Sequence, residues 1–108
     1  MPPKKKKPPV LSSKQIRHLR GLGHHLLPAV MVGREGVTDQ VLAALEDSIK
    51  AHELIKVKIQ QNCPQDRSEV AELLAKGAVA AVVQVLGKTI LLYRPNKDLS
   101  VDRAIQFP

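Results

Sequence analysis

Apolar positions along the chain switch repeatedly between a helical period and a strand period. Ile16, Leu19, Leu22, Gly23 and Leu26 recur at helical spacing, and Lys14, Arg17, Arg20 and His24 fill the opposite arc. Ser12 and Gln15 ahead of this stripe form an S-x-x-Q capping box. Leu11 and Ile16 sit at hydrophobic-staple positions around it, and Pro28 follows the helix. Ala29 to Val32 is a short continuous apolar run, which predicts a buried strand. Beyond a loop at Gly33–Gly36, Thr38 or Asp39 caps a second helix, with Val41, Leu42, Leu45 and Ile49 inward. Ile55, Val57 and Ile59 then alternate with Lys56 and Lys58, a half-buried strand with a basic outer face. After a turn at residues 61–65, Asp66 and Glu69 open a third helix. It turns Val70, Leu73 and Leu74 inward and ends at Gly77. Two apolar runs flank Gly87-Lys88, the spacing of a tight hairpin.

The predicted order is α-β-α-β-α-β-β in a compact α/β domain. Helical crossovers favour parallel neighbours and the final hairpin is antiparallel, so the sheet is mixed, four-stranded and packed with helices. The chain of 108 residues suits one domain, placed at residues 11–95. Residues 1–10 combine prolines with Lys4–Lys7 and are expected to be a disordered basic tail. Residues 96–108 lack periodicity and are expected to be a C-terminal tail. No internal repeat is present.

Charge turns attention to an anionic partner. The formal net charge is +7, with four positive charges in Lys4–Lys7 and an excess of three across residues 11–94. The basic side chains gather on the first helix, the Gly33–Gly36 loop, Lys56, Lys58 and Lys88, whereas the second and third helices are acidic or mixed. Only Tyr93 and Phe107 are aromatic. Proteins that read single-stranded bases stack them on several rings, so an RNA-recognition-motif sheet is disfavoured and RNA would be held by backbone and shape. No apolar run reaches the roughly 18 residues that span a bilayer, and the N-terminus lacks the apolar segment of a secretory signal. Cys63 is the single cysteine, which excludes an internal disulfide and a cysteine-based zinc cage.

The chemistry-bearing motifs are few. Gly33-Arg34-Glu35-Gly36 is a GxxG loop between a strand and a helix. Free amides at the helix N-terminus suit a phosphate, and glycines let a nucleic-acid backbone approach without a Cβ. Arg34 is expected to face the ligand and Glu35 to turn away. His18, His24, His25 and His52 lack the spacing of a zinc pair, so no metal is expected. Glu46, Asp47, Glu53, Asp66, Glu69 and Glu72 are read as caps or solvated helical faces. No serine lies in a nucleophile-elbow context, and Cys63 before Pro64 carries no nucleophile signature.

Three blocks, "LRGLGHHLLPAVMVG" leading into the GxxG loop, "HELIKVKI" and "GKTILLYRP", resemble the CRM domain (chloroplast RNA splicing and ribosome maturation), above all its stand-alone bacterial YhbY-type members. The resemblance covers residues 11 to 95. It implies a fold similar to the C-terminal domain of translation initiation factor 3 and RNA binding without catalysis or cofactor. For single-domain bacterial members it implies association with precursors of the large ribosomal subunit. The expectation is a cytoplasmic, monomeric RNA-binding protein acting on ribosomal RNA. Its expected RNA-binding residues are Gly33, Arg34, Glu35, Gly36, Arg17, Arg20, Lys56, Lys58, Lys88 and Arg94. The alternative is a protein-interaction module docking on an acidic partner.

Overall fold

The computed structural model describes residues 7–108. Residues 1–6, with three of the four lysines of the basic run, lie outside the described residues. The elements are α1 (Ser13–Gly23), β1 (Val30–Val32), α2 (Asp39–His52), β2 (Leu54–Ile59), α3 (Arg67–Ala78), β3 (Ala81–Leu86) and β4 (Thr89–Tyr93). Local chemistry explains the helix starts. At α1 the capping box is complete: Gln15 N–H donates to Ser12 Oγ at 3.1 Å and Ser12 N–H to Gln15 Oε1 at 2.9 Å. Thr38 Oγ1 accepts from Val41 N–H at 3.1 Å, and Asp66 Oδ1 from Glu69 N–H at 2.8 Å.

The strand order is β1-β2-β4-β3. β1 and β2 are parallel, and the other two pairings are antiparallel. The second strand of the hairpin therefore lies in the middle of the sheet, between β2 and its own partner. Among the described residues only two glycines have positive φ, Gly36 and Gly87. Gly87 at +58° with Lys88 at negative φ fits the tight II′ hairpin.

Each face of the sheet carries a core. On one face, Val32, Ile55, Val57, Ile90 and Leu92 pack against Leu45 and Ile49 of α2 and Val70 and Leu74 of α3. Each such side chain removed from water contributes about 1.5–3 kcal/mol. On the other face, α1 lays Leu19 over Leu54, Val83, Leu91 and Tyr93. Gly23 makes this contact close, since a Cβ there would stand 2.5 Å from Leu91 Cδ2. α1 covers only one end of its face and leaves the other end bare.

Two expectations for α3 change. Gly77 does not end α3; the helix runs to Ala78 and stops at Val79 in the left-handed conformation, φ 53°. Gly77 serves packing instead, because its missing Cβ admits Leu42 Cδ2. Leu73 is partly exposed, and Ala71 and Ala78 fill the interior in its place.

Glu53 is at a helix end, as the C-cap of α2, but its side chain is buried rather than solvated. It is 2% exposed, at φ 63° between α2 and β2. Its Oε2 accepts from Asn96 N–H and its Oε1 from Ile105 N–H, both at 2.6 Å, and its carbonyl accepts from Arg94 N–H at 2.9 Å. Burial, then the nearby Glu53 charge, raises the Tyr93 phenol above its ordinary value.

Residues 96–108 are the expected C-terminal tail without regular structure, forming neither helix nor strand, but they pack back on the domain. Ile105 and Phe107 join the α1-side core, and Phe107 meets the rings of Tyr93 and His18 at 5.8 and 5.5 Å. Apolar burial and the Glu53 carboxylate together hold this strap down.

Candidate nucleic-acid interface

The parallel pairing of β1 with β2 brings their carboxyl ends together. The Gly33–Gly36 turn leaves β1 there, the 60–62 turn leaves β2 there, and the β3–β4 hairpin tip reaches the same end through Ile59 N–H donating to Lys88 O at 2.7 Å. Gly36 N–H donates to Gly33 O at 2.9 Å and closes the loop. Gly36 sits at φ +71°, and a Cβ on it would lie 2.7 Å from Gln65 Oε1, which accepts from Val37 N–H at 3.0 Å. Gly33 has no positive φ; a Cβ there would meet only the end of the Gln60 side chain.

These bonds narrow the anion-binding capacity of the loop. The N–H groups of Gly36, Val37 and Val41 are satisfied within the protein. Those of Asp39 and Gln40, in the first turn of α2, are the ones helix geometry leaves open. Arg34 is highly exposed, and Glu35 Oε1 lies 3.8 Å from its Nε. An exposed pair at that distance is weak and leaves the guanidinium free to exchange partners.

The other expected cations divide into two sets. Lys56 and Lys58 point to the α1-side face of the sheet, with Lys58 exposed beside the loop end and Lys88 exposed at the hairpin tip. Arg17 and Arg20 are exposed on α1. With the Gln84 amide turned to present its oxygen, that oxygen lies 3.1 Å from Arg20 Nε and 3.2 Å from its terminal nitrogen. His24, Lys56, Gln84 and Thr89 line a narrow cleft of about 50 Å³ between the end of α1 and the sheet. A basic track thus runs from α1 across Lys56 and Lys58 to Lys88 and the GxxG loop.

Arg94 stands apart from it. Its guanidinium donates to both carboxylate oxygens of Glu46 at 2.8 and 2.7 Å and to Ala78 O at 2.7 Å, so it ties β4 to α2 and α3 on the opposite face. The Glu46 hydrogen bond and charge hold its pKa above the ordinary value, although burial opposes this. Arg67 was missed. It opens α3, and one of its terminal nitrogens lies 3.4 Å from Gly87 O, which brings another cation to the hairpin tip. The D-x-x-E cap just before it marked the helix start, but nothing in the sequence signalled contact with a residue twenty positions away.

Among the described residues, no group of three or more His, Cys, Asp or Glu side chains is placed to hold a metal ion. No helix among them is long and apolar enough to cross a membrane.

Comparison with known proteins adds a family. The CRS1 / YhbY (CRM) domain matches residues 11–94. The chain is 41% identical over 99 residues to the probable RNA-binding protein YqeI of Bacillus subtilis, covering 92% of this chain and all of that one. It is 40% identical over 91 residues to a Haemophilus influenzae protein named RNA-binding protein, covering 84% of this chain and 92% of that one. The solution structure of a hypothetical Staphylococcus aureus protein shares the fold at TM-score 0.75 and 34% identity, covering 92% of this chain and all of that chain.

Proposed function

The chain belongs to the CRS1/YhbY (CRM) domain family, and from that premise we propose that it is a non-enzymatic RNA-binding protein that holds ribosomal RNA in precursors of the large subunit and assists their assembly. One observation carries the RNA reading: the GxxG loop, Lys58, Lys88 and Arg67 converge at one end of the sheet, continuous with Lys56 and the basic arc of α1. Phosphate contacts of this kind fix register and orientation on the RNA without reading its sequence. Arg34 and the open amides of Asp39 and Gln40 hold a phosphate at the loop, and the lysines follow the backbone. The ribosomal assignment and a cytoplasmic, monomeric state rest on the family resemblance. Arg94 is left out of the RNA contacts because Glu46 and Ala78 occupy its donors.

The test pairs cells with purified protein. Tagged chain should sediment with large-subunit precursors and leave that fraction on ribonuclease treatment. In solution, Arg34→Ala should weaken binding to a structured ribosomal RNA fragment by on the order of 1 kcal/mol, the worth of a charge-assisted contact. Glu35→Lys should strengthen it by removing the carboxylate that pairs with Arg34. Sedimentation that survives ribonuclease, with both variants binding RNA like the parent, would favour docking on an acidic protein instead.

A further inference from the structure

The bare end of the sheet differs in chemistry from the basic track around it. One cross-strand row crosses all four strands there: Met31 of β1 beside Lys58 of β2, Lys58 beside Thr89 of β4, and Thr89 beside Leu86 of β3. At about 4.8 Å between strands, the row is about 15 Å wide. Its two ends are apolar and open, Met31 54% exposed and Leu86 59% exposed. Phosphate binding gives no use for a thioether and an isobutyl group at these positions. Beside the row, the turn after β2 presents three successive exposed carboxamides, Gln60, Gln61 and Asn62, and the Gln60 amide nitrogen lies 3.6 Å from Met31 Sδ. A carboxamide carries both donors and an acceptor. A phosphate only accepts, whereas the edge of a base does both.

We propose that this row seats a short unpaired segment of the bound RNA, its bases lying on Met31 and Leu86, their edges turned to the carboxamides, and its phosphates held by Lys58 and Lys88. The inference rests on the RNA-binding reading above and adds the class of RNA. A regular duplex keeps its base faces stacked inside and offers this row only backbone. An unpaired segment brings apolar base faces to exposed apolar side chains. Charge complementarity names the occupant, because Lys58 stands within the row and Lys56, Lys88 and the His24 cleft adjoin it.

The experiment uses the full chain and two hairpin RNAs of equal length, one fully paired in its stem and one with two unpaired residues, one of them 2-aminopurine. The chain has two methionines, so methyl-labelled protein gives two resonances, and Met31 is assigned by substitution. The wild type should bind the interrupted hairpin several-fold tighter, with a shift of the Met31 methyl signal and a change in 2-aminopurine fluorescence. Met31→Ser combined with Leu86→Ser should abolish that preference and keep the affinity for the paired hairpin, since both side chains lie outside the core. Should the double variant fail to fold, the methyl shift and the fluorescence of the wild type decide. Equal wild-type affinity for the two hairpins with an unmoved Met31 methyl overturns the inference and leaves RNA binding standing. Binding of neither hairpin overturns both.

Discussion

The two glycines of the GxxG loop look alike in sequence and differ in the fold. Gly36 holds φ +71° with Gln65 packed where a Cβ would go, so it is a scaffold residue. Gly36→Asp should lower thermal stability by about 1–2 kcal/mol from backbone strain, with a further loss if Gln65 is displaced from Val37. Gly33 is free of that constraint, and Gly33→Ala should melt like the parent. Any loss of RNA affinity in that variant then reports the approach of the RNA backbone, and parental melting of Gly36→Asp would show the turn to be less demanding than its geometry implies. Glu53 presents the opposite case, a charged residue that sequence reads as a helix-end cap or a solvated carboxylate and whose burial it does not show. Its partners are 43 and 52 positions away, beyond any local pattern. Glu53→Gln leaves one of the two amide donors facing another donor and should cost about 1–3 kcal/mol. Hydrogen exchange at Asn96 and Ile105 should quicken in that variant, and unchanged protection there would refute the role of the carboxylate.

At the scale of elements, what depended on neighbours in sequence was legible, apart from the end of α3, which falls at Val79 and not at Gly77. The S-x-x-Q box, the Thr38 and Asp66 caps, the alternation of Ile55, Val57 and Ile59, and the Gly87-Lys88 turn all specify structure within a few residues. The position of β4 between β2 and β3 was not legible, because both hairpin strands are apolar and either could take the centre. Nor was the strap, since Ile105 and Phe107 are two isolated apolar residues in a segment without period. The candidate site divides the same way: the loop and the lysines lie where the sequence put them, while Arg94 is drawn inward by Glu46, which lies 48 positions earlier. Arg94→Ala should destabilise the domain by about 2 kcal/mol, less than a fully buried pair because Glu46 is partly open to water. Its RNA affinity at temperatures where it stays folded should equal that of the parent. Weakened binding with unchanged melting would return Arg94 to the interface.

For the whole molecule, charge and topology act separately. RNA affinity should fall steeply with salt, each neutralised phosphate adding about 0.7–0.9 to the log–log slope. Deleting residues 1–9 removes four lysines and, among the described residues, none of either core, so the slope should flatten while the melting temperature holds. An unchanged slope would show that the lysine run does not engage the RNA. Topology has its effect on a different process, the emergence of the chain from the ribosome during synthesis. Strand β4 is made after the three strands it joins in the sheet, yet it pairs with both β2 and β3 and supplies Ile90, Leu91, Leu92 and Tyr93 to the two cores. Until Tyr93 has left the exit tunnel, β2 has no antiparallel neighbour and α1 has no Leu91 to cover. The order of synthesis therefore runs against the order of assembly: the helices and the three earlier strands wait, with apolar surface open to chaperones, for the five residues of β4.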